Sequence, residues 1–170
     1  MISPALSQLE ATPEILRALL DGITAEQAQW KPAPDRFSLA EVLEHLSHAE
    51  SRAFRSRVEK MADEENPIIE EYDQNAYAAS GQYSGREAED SFDHWEEQRE
   101  DNVEYLRSLP ETAGARTGAH RNLGSITLGE LMNEWAFHDL GHIRQVAELV
   151  RAIVFYPNMG PFRGEYKINP

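Results

Sequence analysis

Apolar side chains recur along this chain every three or four residues, and the rhythm breaks at a few well-marked places. Ile15, Leu16, Leu19 and Leu20 form one stripe, which continues an earlier segment holding Leu6 and Leu9. At about 100° per residue, Leu39, Val42, Leu43, Leu46, Ala49 and Ala53 share one arc of a second helix. Ala88, Phe92, Trp95, Val103 and Leu106 share an arc of a third, and Leu128, Leu131, Met132, Trp135, Val146 and Val150 of a fourth. Start signals stand in front of these stripes. Thr12-Pro13 reads as an N-cap followed by a proline in the first turn. Thr24-Ala25-Glu26-Gln27 is a capping box for a short helix that Pro32 and Pro34 end. Ser38-Leu39-Ala40-Glu41 opens a helix to Met61, Ser84-Gly85-Arg86-Glu87 one to Leu109, and Thr127-Leu128-Gly129-Glu130 one to Val154. Four long helical periodicities with few β-branched alternations predict an all-α bundle. Long loops connect its helices at 62–84 and 110–126, and with no repeat or linker residues 1–170 read as a single domain.

Composition narrows the function more than the fold. The chain has 16 Lys+Arg against 30 Asp+Glu, a formal net charge of −14. A surface this acidic repels phosphate backbones and anionic lipid, so no nucleic acid and no membrane is expected as a partner. The chain has no Cys, which removes disulfides, thiolate metal ligands and a cysteine nucleophile. No charged segment leads into an apolar one near the start, and no apolar stretch approaches the ~20 residues of a bilayer span. A cytoplasmic location is the default expectation.

The chemistry falls on the apolar faces. Glu50, Arg99 and Asp139 lie inside their arcs, and a buried charge demands a partner. They are either a purely structural cluster tying three helices together or groups acting beside a metal. His138 and His142, four residues apart, stack on one side of the fourth helix, so both imidazoles reach one ion. A third nitrogen from His45 would complete three neutral ligands with a position left open, the pattern of a catalytic site. Asp139, Glu134 or Gln145 are candidates to orient the imidazoles. Against this, two His at that spacing are weak evidence alone, and His45 by itself reads more readily as a packed or half-exposed histidine. His48 and His94 point away from their arcs and read as solvated. His120 reads as loop packing, with a place at the site entrance as the alternative, and Glu64, Glu65, Glu70 and Glu71 read as a solvated face. The three Trp read as core and interface anchors.

Phe37-Ser38-Leu39-Ala40-Glu41-Val42-Leu43-Glu44-His45-Leu46 and Trp135-Ala136-Phe137-His138-Asp139-Leu140-Gly141-His142-Ile143-Arg144-Gln145 together resemble the DinB-like superfamily, as does the closing Met159-Gly160-Pro161-Phe162. The resemblance covers nearly the whole chain. It implies an up-down-down-up four-helix bundle that binds one divalent transition metal (Zn, Ni or Fe) through His45, His138 and His142. Relatives in that superfamily include thiol S-transferases and a maleylpyruvate isomerase that use low-molecular-weight thiols. The resemblance therefore implies a metal-dependent enzyme of thiol S-transferase type, with a small-molecule thiol and an electrophilic substrate as partners. Two positions depart from the family's pattern: His48 stands where an acidic residue is frequent, and Arg121 where proline is. A hydrolase using metal-bound water, with Glu50 or Glu134 as base, is the alternative enzyme. A non-catalytic, metal-stabilised module is the other alternative, and a homodimer is expected, with Tyr72, Tyr77, Tyr83 and Phe155 available for its contact.

Overall fold

Three of the start signals fold as written. In a computed structural model, which describes residues 3–170, Thr24, Ser38 and Thr127 each accept a hydrogen bond from the backbone N–H three residues on. The side chains of Gln27, Glu41 and Glu130 return the bond to the cap residue's own N–H, so two otherwise unpaired donors are satisfied at each helix start. The elements are α1 (Ser3–Leu20), α2 (Ala25–Gln29), α3 (Leu39–Ala49), α4 (Ser56–Asp63), β1 (Ile68–Ile69), α5 (Gln74–Ala79), α6 (Ala88–Ser108), β2 (Thr117–His120), β3 (Gly124–Thr127) and α7 (Leu128–Val150). A π-helical turn, Glu50–Arg55, joins α3 to α4 into one long rod, and a second, Arg151–Phe155, extends α7.

Two start signals are overruled. Thr12-Pro13 does not begin a helix but lies inside α1. Pro13 has no N–H to offer the Leu9 carbonyl four residues back, and the Arg99 guanidinium of α6 takes that carbonyl instead, at 3.0 Å. Thr12 is fully buried and its hydroxyl donates to the Gln8 carbonyl at 2.9 Å. Ser84 does not cap α6, which starts at Ala88 with Glu87 in the cap position. The Ser84 hydroxyl donates to Glu41 instead, at 3.2 Å.

Contacts between the rods give their directions. Arg17 pairs with Glu96 and Glu10 with Arg107, so α1 and α6 run antiparallel. Ser91 donates to Glu44, and Arg55 lies over the Tyr105 ring, so the α3–α4 rod and α6 run parallel. His45 meets His142 and Phe54 stacks on Trp135, so α7 runs against the α3–α4 rod. The result is an up-down-down-up four-helix bundle in which α1 packs on α7 and α3 on α6.

The parallel pair forces the chain to travel back along the bundle between α4 and α6, and residues 64–87 make that return. Both long connections carry strand structure that the helical periodicity did not predict. β2 and β3 form an antiparallel hairpin, and β1 adds to β2 in parallel, pairing Ile68 with Ala119 and Ile69 with His120. The sheet is held to the end of α4. Arg116 donates to the carbonyls of Met61 and Glu64, Lys60 to that of Ile68, and Arg57 to that of Glu70, all between 2.6 and 2.9 Å. Gly118 lets β2 approach closely, because a Cβ there would lie 2.8 Å from the Ile69 side chain.

The apolar core falls into two clusters. One contains Leu9, Phe54, Val58, Met61, Leu106, Leu131, Met132 and Trp135. The other contains Leu16, Leu39, Val42, Leu43, Leu46, Trp95, Val146 and Leu149. Between them along the rods lie Thr12, Glu50, Arg99 and Asp139, all 1% exposed or less. Arg99 donates through Nε and Nη2 to both Glu50 oxygens, at 2.7 and 2.8 Å. It donates through Nη1 and Nη2 to both Asp139 oxygens, at 2.6 and 3.1 Å. Glu50 also accepts from Trp95, Trp135 and Asn102. Burial alone would lower the Arg99 pKa, but Glu50 and then Asp139 reverse that and hold it above its usual value.

Arg99→Leu leaves two carboxylates buried without their cation, a change that costs about 3–5 kcal/mol. The urea unfolding midpoint is expected to fall accordingly, with an unchanged slope.

Candidate metal centre

Three histidines from two rods converge beside this polar layer. His45 sits in the middle of α3, fully buried, and His138 and His142 sit one turn apart on α7. Their ring nitrogens meet head on: His138 Nε2 lies 3.3 Å from His45 Nε2 and 3.1 Å from His142 Nε2. Each residue offers a ligand atom within 4.8 Å of the other two. Among the described residues, no further His, Cys, Asp or Glu joins the group.

The surroundings of the triad are aromatic. Phe54 lies edge-on to His138 at 5.1 Å, Tyr83 edge-on to His45 at 5.5 Å, and Phe37 packs 6.2 Å from His45. Charged imidazolium is disfavoured there. Burial first, then the neighbouring histidines, lowers His45 to about 3 and His138 to about 2. His142 is lowered by burial, against a hydrogen bond to Gln145 that raises it. All three rings are therefore neutral near pH 7, the state a metal ligand requires. His142 Nδ1 faces Gln145 Oε1 at 2.9 Å. An amide oxygen only accepts, so Nδ1 carries the proton and Nε2 points a lone pair at the other rings. In a tetrahedron of ~2.05 Å bonds, neighbouring nitrogens stand about 3.3 Å apart, close to the spacings of His138 from His45 and from His142. The donor set thus fits a divalent transition metal.

His138 also lines a cleft of about 460 Å³. Phe54, Arg57, Tyr72, His120 and Glu134 contribute to its wall, so the cleft borders the triad at His138. A larger cleft of about 520 Å³, between the end of α1, α2 and the start of α6, contains none of the three histidines.

Other residues singled out in the sequence fall in several places. Glu50 and Asp139 belong to the Arg99 cluster, and five donor groups saturate Glu50, which therefore cannot serve as a base in the cleft. Of the three candidates to orient the imidazoles, Gln145 contacts one, while exposed Glu134 lines the cleft one turn from His138. His120 combines both of its readings: its Nδ1 accepts from the N–H groups of Asn122 and Leu123, and it lines the cleft. His94 is exposed and meets Gln98, and Glu71 also borders the cleft. Trp95 and Trp135 are core, whereas Trp30 is 42% exposed.

His48 differs from its reading as a solvated residue. It is half-buried against Tyr72, Tyr77 and Tyr83, and burial lowers its pKa. Tyr83, 2% exposed, and half-buried Tyr72 are turned inward towards the histidines rather than outward towards a partner. Sequence reasoning did not place these tyrosines at the site, because they sit on the return segment outside any helical arc. The only available signal was three tyrosines concentrated between residues 72 and 83.

Fold and site together define a bundle with a three-histidine group in its core. The chain belongs to the DinB superfamily, whose family pattern matches residues 8–146. It is 25% identical over 151 residues to a protein of Oceanobacillus iheyensis described as a "putative metal-dependent hydrolase", covering 89% of this chain and 87% of that one. Among solved structures it is similar to YfiT of Bacillus subtilis, a probable metal-dependent hydrolase with an unusual four-helix bundle topology. That match has a TM-score of 0.78 at 22% identity, over 89% of this chain and 86% of YfiT. A DinB-like protein of Bacillus subtilis, YjoA, matches with a TM-score of 0.60 at 17% identity, over 98% and 96%. Among the described residues, no helix is long and apolar enough to cross a membrane.

The lowered histidine pKa values fix a sign for pH dependence. A group whose folded pKa lies below its unfolded value of about 6.5 binds protons more readily unfolded. Each such histidine therefore costs stability as the pH falls through 6.5, by up to about 1.4 kcal/mol per pH unit. Metal-free protein is expected to lose thermal stability between pH 6.5 and pH 4, and His138→Leu to lose less across the same range.

Proposed function

We propose that the protein is a metal-dependent enzyme acting on small molecules, with a divalent transition metal held by His45, His138 and His142. The observation that carries this reading is the convergence of three neutral imidazoles, of which His138 stands in the wall of a cleft. A cation bound there supplies Lewis acidity and lowers the pKa of a water or thiol that reaches it. Gln145 fixes the His142 tautomer, so that its Nε2 faces inward. Phe37 packs against His45, and Phe54 lies edge-on to His138 in the wall of the cleft, so the approach to the triad runs along His138. There Glu134, exposed and one turn from His138, is placed to take a proton from an attacking water. The same wall carries Arg57, a cation for an anionic group of the substrate. This chemistry is hydrolysis, the class attached to the Oceanobacillus relative.

The second reading keeps the metal and replaces water by a low-molecular-weight thiol, in a thiol S-transferase. The absence of Cys supports it, because the sulfur must then arrive on a cosubstrate. Thiol-dependent conjugation of an electrophile, measured beside ester and amide hydrolysis, separates the two readings.

His142→Ala is expected to abolish stoichiometric metal, measured by elemental analysis of purified protein, together with either activity. Full metal content in that variant would overturn the metal reading. For hydrolysis, Glu134→Gln is expected to keep the metal and lose roughly 10²–10⁴-fold in kcat.

A further inference from the structure

His45 does not end its contacts at the triad. Its Nδ1 lies 3.4 Å from the Tyr83 hydroxyl, the longest link of a chain. The Tyr83 hydroxyl lies 2.9 Å from that of Tyr72, and Tyr72 lies 2.8 Å from His48 Nδ1. His48 packs against Tyr77, its ring tilted 58° with centroids 4.2 Å apart, and lines a small groove with Glu44, Arg86 and His94. Three side chains thus join a buried ligand candidate to the protein surface, and the first two of them come from the return segment.

We propose that Tyr83 and Tyr72 are positioning residues that fix which nitrogen of His45 carries the proton, through a hydrogen-bonded chain ending on His48. This rests on the reading of the triad as a metal centre. A tyrosine hydroxyl has one proton to donate, so a chain with both hydroxyls fully paired has one of two polarities. In the first, His45 Nδ1–H donates to Tyr83, Tyr83 to Tyr72, and Tyr72 to His48 Nδ1. His45 Nε2 is then a lone pair facing His138. In the second, His48 Nδ1–H donates to Tyr72, Tyr72 to Tyr83, and Tyr83 to His45 Nδ1. The His45 proton then sits on Nε2, where a metal would have to bind.

The first polarity is the one a metal ligand needs, because it leaves the His45 Nε2 lone pair facing His138. Gln145 performs the equivalent service for His142 with a single acceptor. Partners of this kind, which hold the second nitrogen of a ligating histidine, are typically worth 10–100-fold in metal affinity.

The test uses Tyr83→Phe, which keeps the ring and removes only the hydroxyl, and Tyr72→Phe, which cuts the chain one link further out. ¹⁵N-histidine NMR of the metal-free protein above pH 7 reads the His45 tautomer, and competition with a chromophoric chelator reads Zn²⁺ affinity. Wild type is expected to carry the His45 proton on Nδ1. Tyr83→Phe is expected to shift His45 towards the Nε2–H form and weaken Zn²⁺ binding 10–100-fold, and Tyr72→Phe to do the same in smaller measure. A wild-type His45 protonated on Nε2 overturns the proposal, as does an unchanged tautomer or Zn²⁺ affinity in both variants. A wild type that binds no Zn²⁺ defeats the metal reading separately, while the tautomer comparison still decides whether the chain sets His45. If Tyr83→Phe fails to fold, the same two measurements on Tyr72→Phe decide between these outcomes.

Discussion

A guanidinium without water sets the terms for the rest of this molecule. Arg99 is buried in the middle of the bundle, and its charge is tolerated because Glu50, Asp139 and the Leu9 carbonyl occupy its donors. Each partner comes from a different rod, so all four long helices must meet at one level for any of these bonds to form. Apolar packing alone tolerates sliding and rotation. A saturated ionic cluster does not, because every misalignment strands a charge in low dielectric. The two apolar clusters above and below supply most of the driving force for collapse, and the polar layer between them specifies the alignment.

The site inherits that alignment. Asp139 is the residue next to His138, and Glu50 begins the π turn one residue after α3 ends. Holding Glu50 and Asp139 on one guanidinium therefore also holds His45 near His138 and His142. The π turn contributes too, since a wider turn shifts the facing of everything after it. Glu50, Ala53, Phe54, Val58 and Met61 all end up buried along a single continuous rod.

Much of this was legible in the sequence because helical periodicity is a local signal. The arcs on the second, third and fourth rods hold residues that are buried in the fold, apart from half-buried Ala88, and three capping boxes close as their sequences dictate. His45, His138 and His142 could be named because two share a helix face and the third lies in a segment that resembles the family. What failed did so for tertiary reasons. Thr12-Pro13 looks like a helix start, since nothing local reveals that a distant arginine satisfies the carbonyl that Pro13 leaves free. Ser84 looks like a cap, since its bond to Glu41 spans 43 residues. The three short strands lie in connections where two to four residues per strand give no readable alternation. The tyrosines beside His45 were out of reach for the same reason, because their placement follows from the path of a loop.

That path is a consequence of topology. Two neighbouring rods that point the same way cannot be joined by a tight turn, so the chain must climb the full height of the bundle between them. In an all-antiparallel bundle those residues would be unnecessary, and the open flank of the histidines would face solvent. Here the detour passes over the site and supplies hydroxyl groups that no helix face was in position to give. The same detour has a kinetic side. α3 and α6 meet only after a long intervening segment has closed, so their pairing is non-local and carries the loop-closure cost of residues 64–87.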